Sequence, residues 1–170
     1  LDGEEIEKEL KTVEWDAEAA EKSGYEHFMI KEIHEQPKAV SDTLNSVIKD
    51  GMIDLSEVGL SEEEIKEISQ IYIVACGSAY HVGVAAQYVM EDLARIPVRV
   101  ELASEFRYRN PILDPKGLVV IISQSGETAD SLAALRESKK QGVKTLGIVN
   151  VIGSSIAREA DNVYYTLAGP

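Results

Sequence analysis

The sequence is poor in the residues that most often carry catalysis or metal. Its single cysteine, Cys76, excludes an intramolecular disulfide and makes a reducing cytoplasm the simplest setting. Its three histidines, His27, His34 and His81, fall at no metal-ligand spacing, and neither GxGxxG after the first strand nor GxxxxGK[ST] occurs. No metal and no nucleotide cofactor is therefore expected. No apolar run is long enough to span a bilayer, and the start lacks the basic, apolar and small-residue order of a signal peptide. Positive charge is also scarce: 17 Lys and Arg stand against 30 Asp and Glu, a formal charge of −13. Nucleic acid or an anionic membrane would demand a basic field over much of the surface, so neither is expected as a partner. An anionic ligand must be held by a local site. Methionine is missing from the first position, occupied by Leu1, and an excised piece of a longer protein is expected.

What is present suits one soluble domain with a sizeable core: 170 residues, 44% hydrophobic and 28% charged. The most informative stretch is 118–128, LVVIISQSGET. A run of mostly β-branched residues enters a polar turn and an Ala/Leu-rich helical pattern follows, which predicts a buried strand, a tight turn and a helix. Such a turn presents backbone N–H groups unpaired at the helix start, where an anion fits without any cationic side chain. The alternative is plain capping by Ser125 or Thr128, with Gly126 present only for the turn. A cap needs one acceptor, whereas Ser123, Ser125 and Thr128 offer three hydroxyls around one point, with Gln124 between them. Hydrogen bonds to a charged partner are worth about 1.5–3 kcal/mol each, enough together to hold a phosphorylated metabolite.

Along the rest of the chain, residues 1–24 are rich in Glu and Lys, carry Trp15, and are expected to form an acidic linker or arm. A helical pattern covers 25–36, and Pro37 is expected to interrupt it or open the next helix, whose stripe is Val40, Leu44, Val47 and Ile48 before Asp50-Gly51. These are expected to be packing helices, with His27 and His34 structural. Ser61 and Glu64 form a capping box for a short helix. Residues 71–75, IYIVA, predict a strand running into Cys76, Gly77 and Ser78, and the following helix shows one face at Val82, Ala85, Ala86, Val89 and Leu93. Cys76 at the end of an apolar strand, with no evident activating base, is expected to be structural. Further strands are expected over 97–102, 118–122, 145–149 and 162–167, with Ala129, Leu132 and Leu135 facing inward on the helix after the third. Arg107 and Arg109 could reach a phosphate or line a solvated helix face.

Strands alternating with helices imply parallel pairing with right-handed crossovers, hence a three-layer α/β/α sandwich on a five-stranded sheet. In the flavodoxin-like order 2-1-3-4-5 the reversal falls between the first and third strands, where ligands settle at the carboxyl ends. The turns at 76–78 and 123–128 share that crevice.

These residues also carry a resemblance. YEHFMIKEIHEQP (25–37), ACGSAYHVG (75–83), VELASEFRY (100–108), SQSGETADSL (123–132) and NVIGSS (150–155) resemble the SIS (sugar isomerase) domain family, most nearly the first such domain of glutamine:fructose-6-phosphate aminotransferases, also called glucosamine-6-phosphate synthases. The resemblance implies that Ser123, Gln124, Ser125 and Thr128 bind the sugar phosphate. The family's usual CGTS reads Cys76-Gly77-Ser78-Ala79 here, so Ser78 keeps one hydroxyl and is implied as a substrate ligand, while Ala79 loses the other and, with Gly77, is left as an open substrate contact. It implies a reaction of fructose 6-phosphate with glutamine to give glucosamine 6-phosphate and glutamate, and a homodimer. A preceding glutaminase domain and a following second SIS domain would supply the nucleophile, base, ring-opening histidine and lysine. Residues 25–170 would then be a sugar-phosphate-binding half, with no catalytic residue of its own and no activity alone. A sugar-phosphate-sensing regulatory module and a related enzyme acting on fructosamine phosphates are the alternative readings.

Overall fold

The computed structural model describes residues 20–169. The arm expected over 1–24, with Trp15, falls outside the described residues up to position 19. In chain order the elements are α1 (Phe28–Asn45), β1 (Ile48–Lys49), β2 (Met52–Ile53), α2 (Glu62–Glu67), β3 (Gln70–Ala75), α3 (Gly77–Ala94), β4 (Val98–Leu102), α4 (Ala103–Phe106), β5 (Gly117–Ser123), α5 (Ala129–Lys140), β6 (Lys144–Val149), α6 (Ser155–Glu159) and β7 (Asn162–Tyr165).

β3 and β5 are apolar along nearly their whole length because both faces of each are covered. They pair in parallel at the centre of a five-stranded sheet of order β4-β3-β5-β6-β7, the order expected from the sequence. One face carries Tyr72, Val74, Val119 and Ile121 against Phe106 of α4, Ala134 and Leu135 of α5 and Ile156 of α6. The other carries Ile71, Ile73, Leu118 and Val120 against Ala86 and Met90 of α3. A smaller cluster of Val47, Val58 and Leu60 reaches the sheet through Leu146 and Tyr164. The result is the expected three-layer sandwich.

Three readings of the region 25–53 need correction. Pro37 neither breaks nor starts a helix; α1 runs through it, giving up one backbone hydrogen bond on an exposed rod where water can serve the freed carbonyl. Nor is α1 buried by its apolar residues: Lys31 is the buried side chain, while Phe28, Met29, Ile33, Val40 and Leu44 stay exposed. Ile48 leaves the expected helical stripe altogether and pairs with Ile53 in a hairpin closed by Asp50 and Gly51, both at positive φ (52° and 76°), the turn that an Asp-Gly pair favours.

On α3 the helical period holds, but of the expected face only Ala86 meets the sheet. Val82, Val89 and Leu93 are 58%, 57% and 78% exposed, and the side turned to the sheet carries Gly83, Ala86 and Met90. The cause is close approach. A side chain at Gly83 would meet Ile73 Cγ2 at 2.8 Å and Val100 Cγ1 at 2.9 Å, so the helix lies on the sheet along its smallest residues. On α5, Leu135 is buried and Leu132 packs against the core as expected, but Ala129 is exposed and Ser131, Ala134 and Ser138 complete the inward side.

The capping box of α2 is present as read: Ser61 Oγ accepts from the Glu64 N–H at 3.2 Å and Glu64 Oε2 accepts from the Ser61 N–H at 2.9 Å. Lys144 at the start of β6 donates to the other oxygen of Glu64, joining α2 to the sheet. That bond first, and the Ser61 N–H second, pull the Glu64 carboxyl down to about 2. The Ser56 side chain and N–H, with Lys49, do the same for Asp54.

Two outcomes are expected from this frame. Gly83→Ala should destabilise the chain by about 1–3 kcal/mol through overpacking, read from the midpoint of urea unfolding. Because Glu64 and Asp54 hold folded pKa values near 2 against ordinary values of 4.5 and 3.8, the stability they contribute is complete above about pH 4.5 and is lost as pH falls toward 2. Acid unfolding followed by circular dichroism should show that loss, and Lys144→Met should make it shallower.

Candidate functional site

Parallel pairing sets Ala75 of β3 beside Ile122 of β5, so the turns after both strands open at one edge of the sheet. Gly77 turns the chain at φ +56° in open space, and α3 begins with Gly77 and Ser78 exposed and Ala79 half-buried. Its N-cap residue, Cys76, makes no side-chain capping bond. The α5 N-cap, Thr128, makes none either. Two helices therefore present uncapped first-turn N–H groups, with the positive ends of their dipoles, beside the same crevice.

The hydroxyls of the second turn have definite jobs. Ser123 is buried, its Oγ 2.9 Å from Thr128 Oγ1, and it accepts from the Gly126 N–H at 3.1 Å. Ser125 Oγ accepts from the Glu127 N–H at 3.2 Å. Both serines thus brace the turn through their lone pairs. One hydrogen of the Ser123/Thr128 pair and the Ser125 hydroxyl hydrogen remain to be given. Gln124 is exposed, and its carbonyl accepts from the Asn150 N–H at 3.0 Å. Since the C=O and N–H of a trans peptide point opposite ways, the Ser125 N–H faces away from β6.

Behind the turn stand the segment after β6 and the first residues of α6. Gly126 O accepts from the Ile156 N–H at 3.0 Å, and Glu127 Oε1 accepts from the Ser155 N–H at 2.7 Å. Ser155, through its side chain and then its N–H, and more distantly Arg158, hold the Glu127 carboxyl below the usual carboxylate range. Glu127 is thereby aimed away from the crevice, an orientation the sequence does not reveal. Gly126 sits at φ +65° directly against Ser154, whose buried Oγ has no hydrogen-bond partner.

Both arginines are engaged with carboxylates. Arg107 donates to Asp130 in the first turn of α5 at 2.6 Å, and Arg109 pairs with Glu101. The first pair has a use at the site, since it neutralises a carboxylate at a helix start where an anion would bind. Ser131 Oγ lies 3.9 Å from Cys76 Sγ, tying α5 to the end of β3 and giving the thiol a structural setting. His34 stacks on Tyr25 with ring centroids 5.3 Å apart, and His27 lies 3.6 Å from Glu26. Among the described residues no three His, Cys, Asp or Glu side chains stand together as metal ligands. What sequence reasoning missed is that Asn150, Ser154 and Ser155 back the turn; NVIGSS (150–155) stood out in the sequence, but not its contact with Gly126 and Glu127.

Gly126→Ala should distort this turn, because the new Cβ would fall 2.0 Å from Ser154 Oγ and 2.5 Å from its Cβ while φ stays positive. A loss of about 1–3 kcal/mol in urea unfolding is expected, and Ser154→Gly in the same chain should restore part of it by removing the obstacle.

Comparison with known proteins agrees with this arrangement. Residues 64–170 match the SIS domain family. Over 170 residues the chain is 59% identical to glutamine-fructose-6-phosphate aminotransferase [isomerizing] of Clostridium acetobutylicum, a match that covers 99% of this chain and 28% of the relative. The Clostridium tetani protein of the same name is 58% identical with the same coverage, so the chain spans little more than a quarter of the curated relatives it matches. The solved C-terminal domain of glucosamine-fructose-6-phosphate aminotransferase from Francisella tularensis superimposes with a TM-score of 0.83 at 47% identity, covering 88% of this chain and 42% of that one. With the sheet order, the paired turns and the matched residues in agreement, the chain belongs to the SIS domain family.

Proposed function

We propose that this chain is a sugar-phosphate-binding domain, and that it serves as the first SIS domain of a glutamine-fructose-6-phosphate aminotransferase. The observation that carries the reading is the pair of uncapped helix N-termini, α3 and α5, opening beside one crevice at the switch in strand order. The phosphate is assigned to the Ser125 and Thr128 hydroxyls, the Gln124 side chain and the first-turn N–H groups of α5, with Ser123 holding the turn from beneath. Ser78, at the start of α3, is assigned to the sugar, with Gly77 and Ala79 contributing backbone and shape. Residues 25–170 form the domain in this reading, and 1–24 the connection to a glutaminase unit. Transfer of nitrogen and isomerisation belong to parts outside the chain, and the chain alone is expected to be inactive. A second copy as partner and a cytoplasmic setting complete the proposal; no helix among the described residues is long and apolar enough to cross a membrane.

Identity near 59% to aminotransferases favours the enzyme over a sensor. The sugar isomerase domain of an RpiR transcription factor from Sphaerobacter thermophilus shares the fold, with a TM-score of 0.62, at only 22% identity.

Calorimetric titration with fructose 6-phosphate and glucosamine 6-phosphate tests the reading, with unphosphorylated fructose as control. Binding should require the phosphate, and Ser125→Ala should weaken it by about tenfold, the loss of one hydrogen bond to a charged group. Equal binding of fructose, or indifference to Ser125→Ala, would sink the assignment.

A further inference from the structure

Glu127 poses a problem for an anion site. It lies within the turn assigned to phosphate, and a carboxylate there would repel the ligand if it faced the crevice. The geometry shows where it goes instead. Three acceptors of the turn are bonded to N–H groups of the segment 150–156: Gln124 O to Asn150 at 3.0 Å, Gly126 O to Ile156 at 3.0 Å, and the Glu127 carboxylate to Ser155 at 2.7 Å. The first two come from the backbone of any residue. The third depends on a side chain.

The same bond solves a problem for α6. Ser154 occupies its N-cap position but makes no side-chain capping bond, its hydroxyl lying buried beneath Gly126. The first N–H of α6 is served instead by Glu127, from a different element. A cap supplied across elements fixes both of them: α6 gains an acceptor, and the turn gains a tether on the side opposite the crevice.

We propose that Glu127 is a positioning residue for the phosphate turn, its carboxylate bonded to the Ser155 N–H so that the Ser125 and Thr128 donors are held toward the ligand. The inference rests on the phosphate assignment made above. It assigns no contact between Glu127 and substrate. What the residue supplies is an acceptor at a fixed place, so a neutral acceptor of the same shape should largely replace it.

The test measures fructose 6-phosphate affinity in this chain for the wild type, Glu127→Gln, Glu127→Ala, Ser155→Ala and Ser155→Pro, with circular dichroism to confirm folding. Proline suits the first position of a helix and removes the N–H together with the hydroxyl, whose separate effect Ser155→Ala measures, and Ser154, at φ −60° and ψ 164°, already has the backbone that a following proline requires. Glu127→Ala should weaken binding by roughly tenfold, Glu127→Gln by no more than about twofold, and Ser155→Pro should match Glu127→Ala. Combining Glu127→Ala with Ser155→Pro should add nothing further, because each removes the same bond. If Glu127→Ala fails to fold, Ser155→Pro against Glu127→Gln decides the question alone. Tighter binding by Glu127→Ala, losses that add in the double variant, or equal losses in the glutamine and alanine variants would overturn the inference. A wild type that binds fructose 6-phosphate no better than fructose would overturn the phosphate assignment and the inference with it, whereas normal wild-type binding with an unaffected Glu127→Ala removes only the inference.

Discussion

The parallel pairing of β3 with β5 is the constraint on which the rest depends. Both strands are covered on both faces, so they occupy the centre of the sheet and each must be followed by a crossover helix. β4 lies outside β3 and β6 outside β5, so the chain leaves the central pair in opposite directions and the two crossovers lie on opposite layers. The helix starts diverge while the strand ends remain adjacent, and a crevice between them is unavoidable. What evolution could vary is its lining. In this chain the lining consists of hydroxyls, an amide and bare peptide N–H groups.

Much of this was legible in the sequence because the physics involved is local or periodic. Unbroken apolar runs identify strands buried on both faces, and Ser123, Ser125 and Thr128 crowd one turn in a way that capping alone does not require. The orientation of α3 was not legible, since period reveals which residues share a face but not which face meets the core. Here Gly83 and Ala86 won over Val82 and Val89, because a helix crossing a sheet closely gains contact along its whole length that a few bulky side chains would hold off. The hairpin at 48–53 had its signal in Asp50-Gly51, but two-residue strands are too short to compete with a helical stripe that begins eight residues earlier. The backing of the turn was hidden for a different reason. Asn150, Ser155 and Ile156 act through backbone N–H groups, which every sequence possesses and only a fold can aim.

On the proposed reading, the turn would be a phosphate site in an acidic protein. A net charge of −13 opposes the approach of any anion, yet the carboxylates of the turn and of the first turn of α5 are each engaged: Glu127 with the Ser155 N–H, Asp130 with Arg107. Fixed dipoles would then operate close to the proposed ligand, where the distant field of the surface is screened within about a Debye length of 8–10 Å. The polar groups of the turn are held by one another in its absence, so little ordering would remain to be done on binding.

The contact between Ser123 and Thr128 carries one more consequence. Two hydroxyl oxygens 2.9 Å apart share one hydrogen between them, and either can be its source. The oxygen that does not donate to its neighbour has a hydrogen to give elsewhere. Exchanging the roles requires rotation about two carbon–oxygen bonds and no displacement of carbon, nitrogen or oxygen, a motion on the picosecond to nanosecond scale. The turn can therefore reverse the polarity of one contact by moving hydrogens alone.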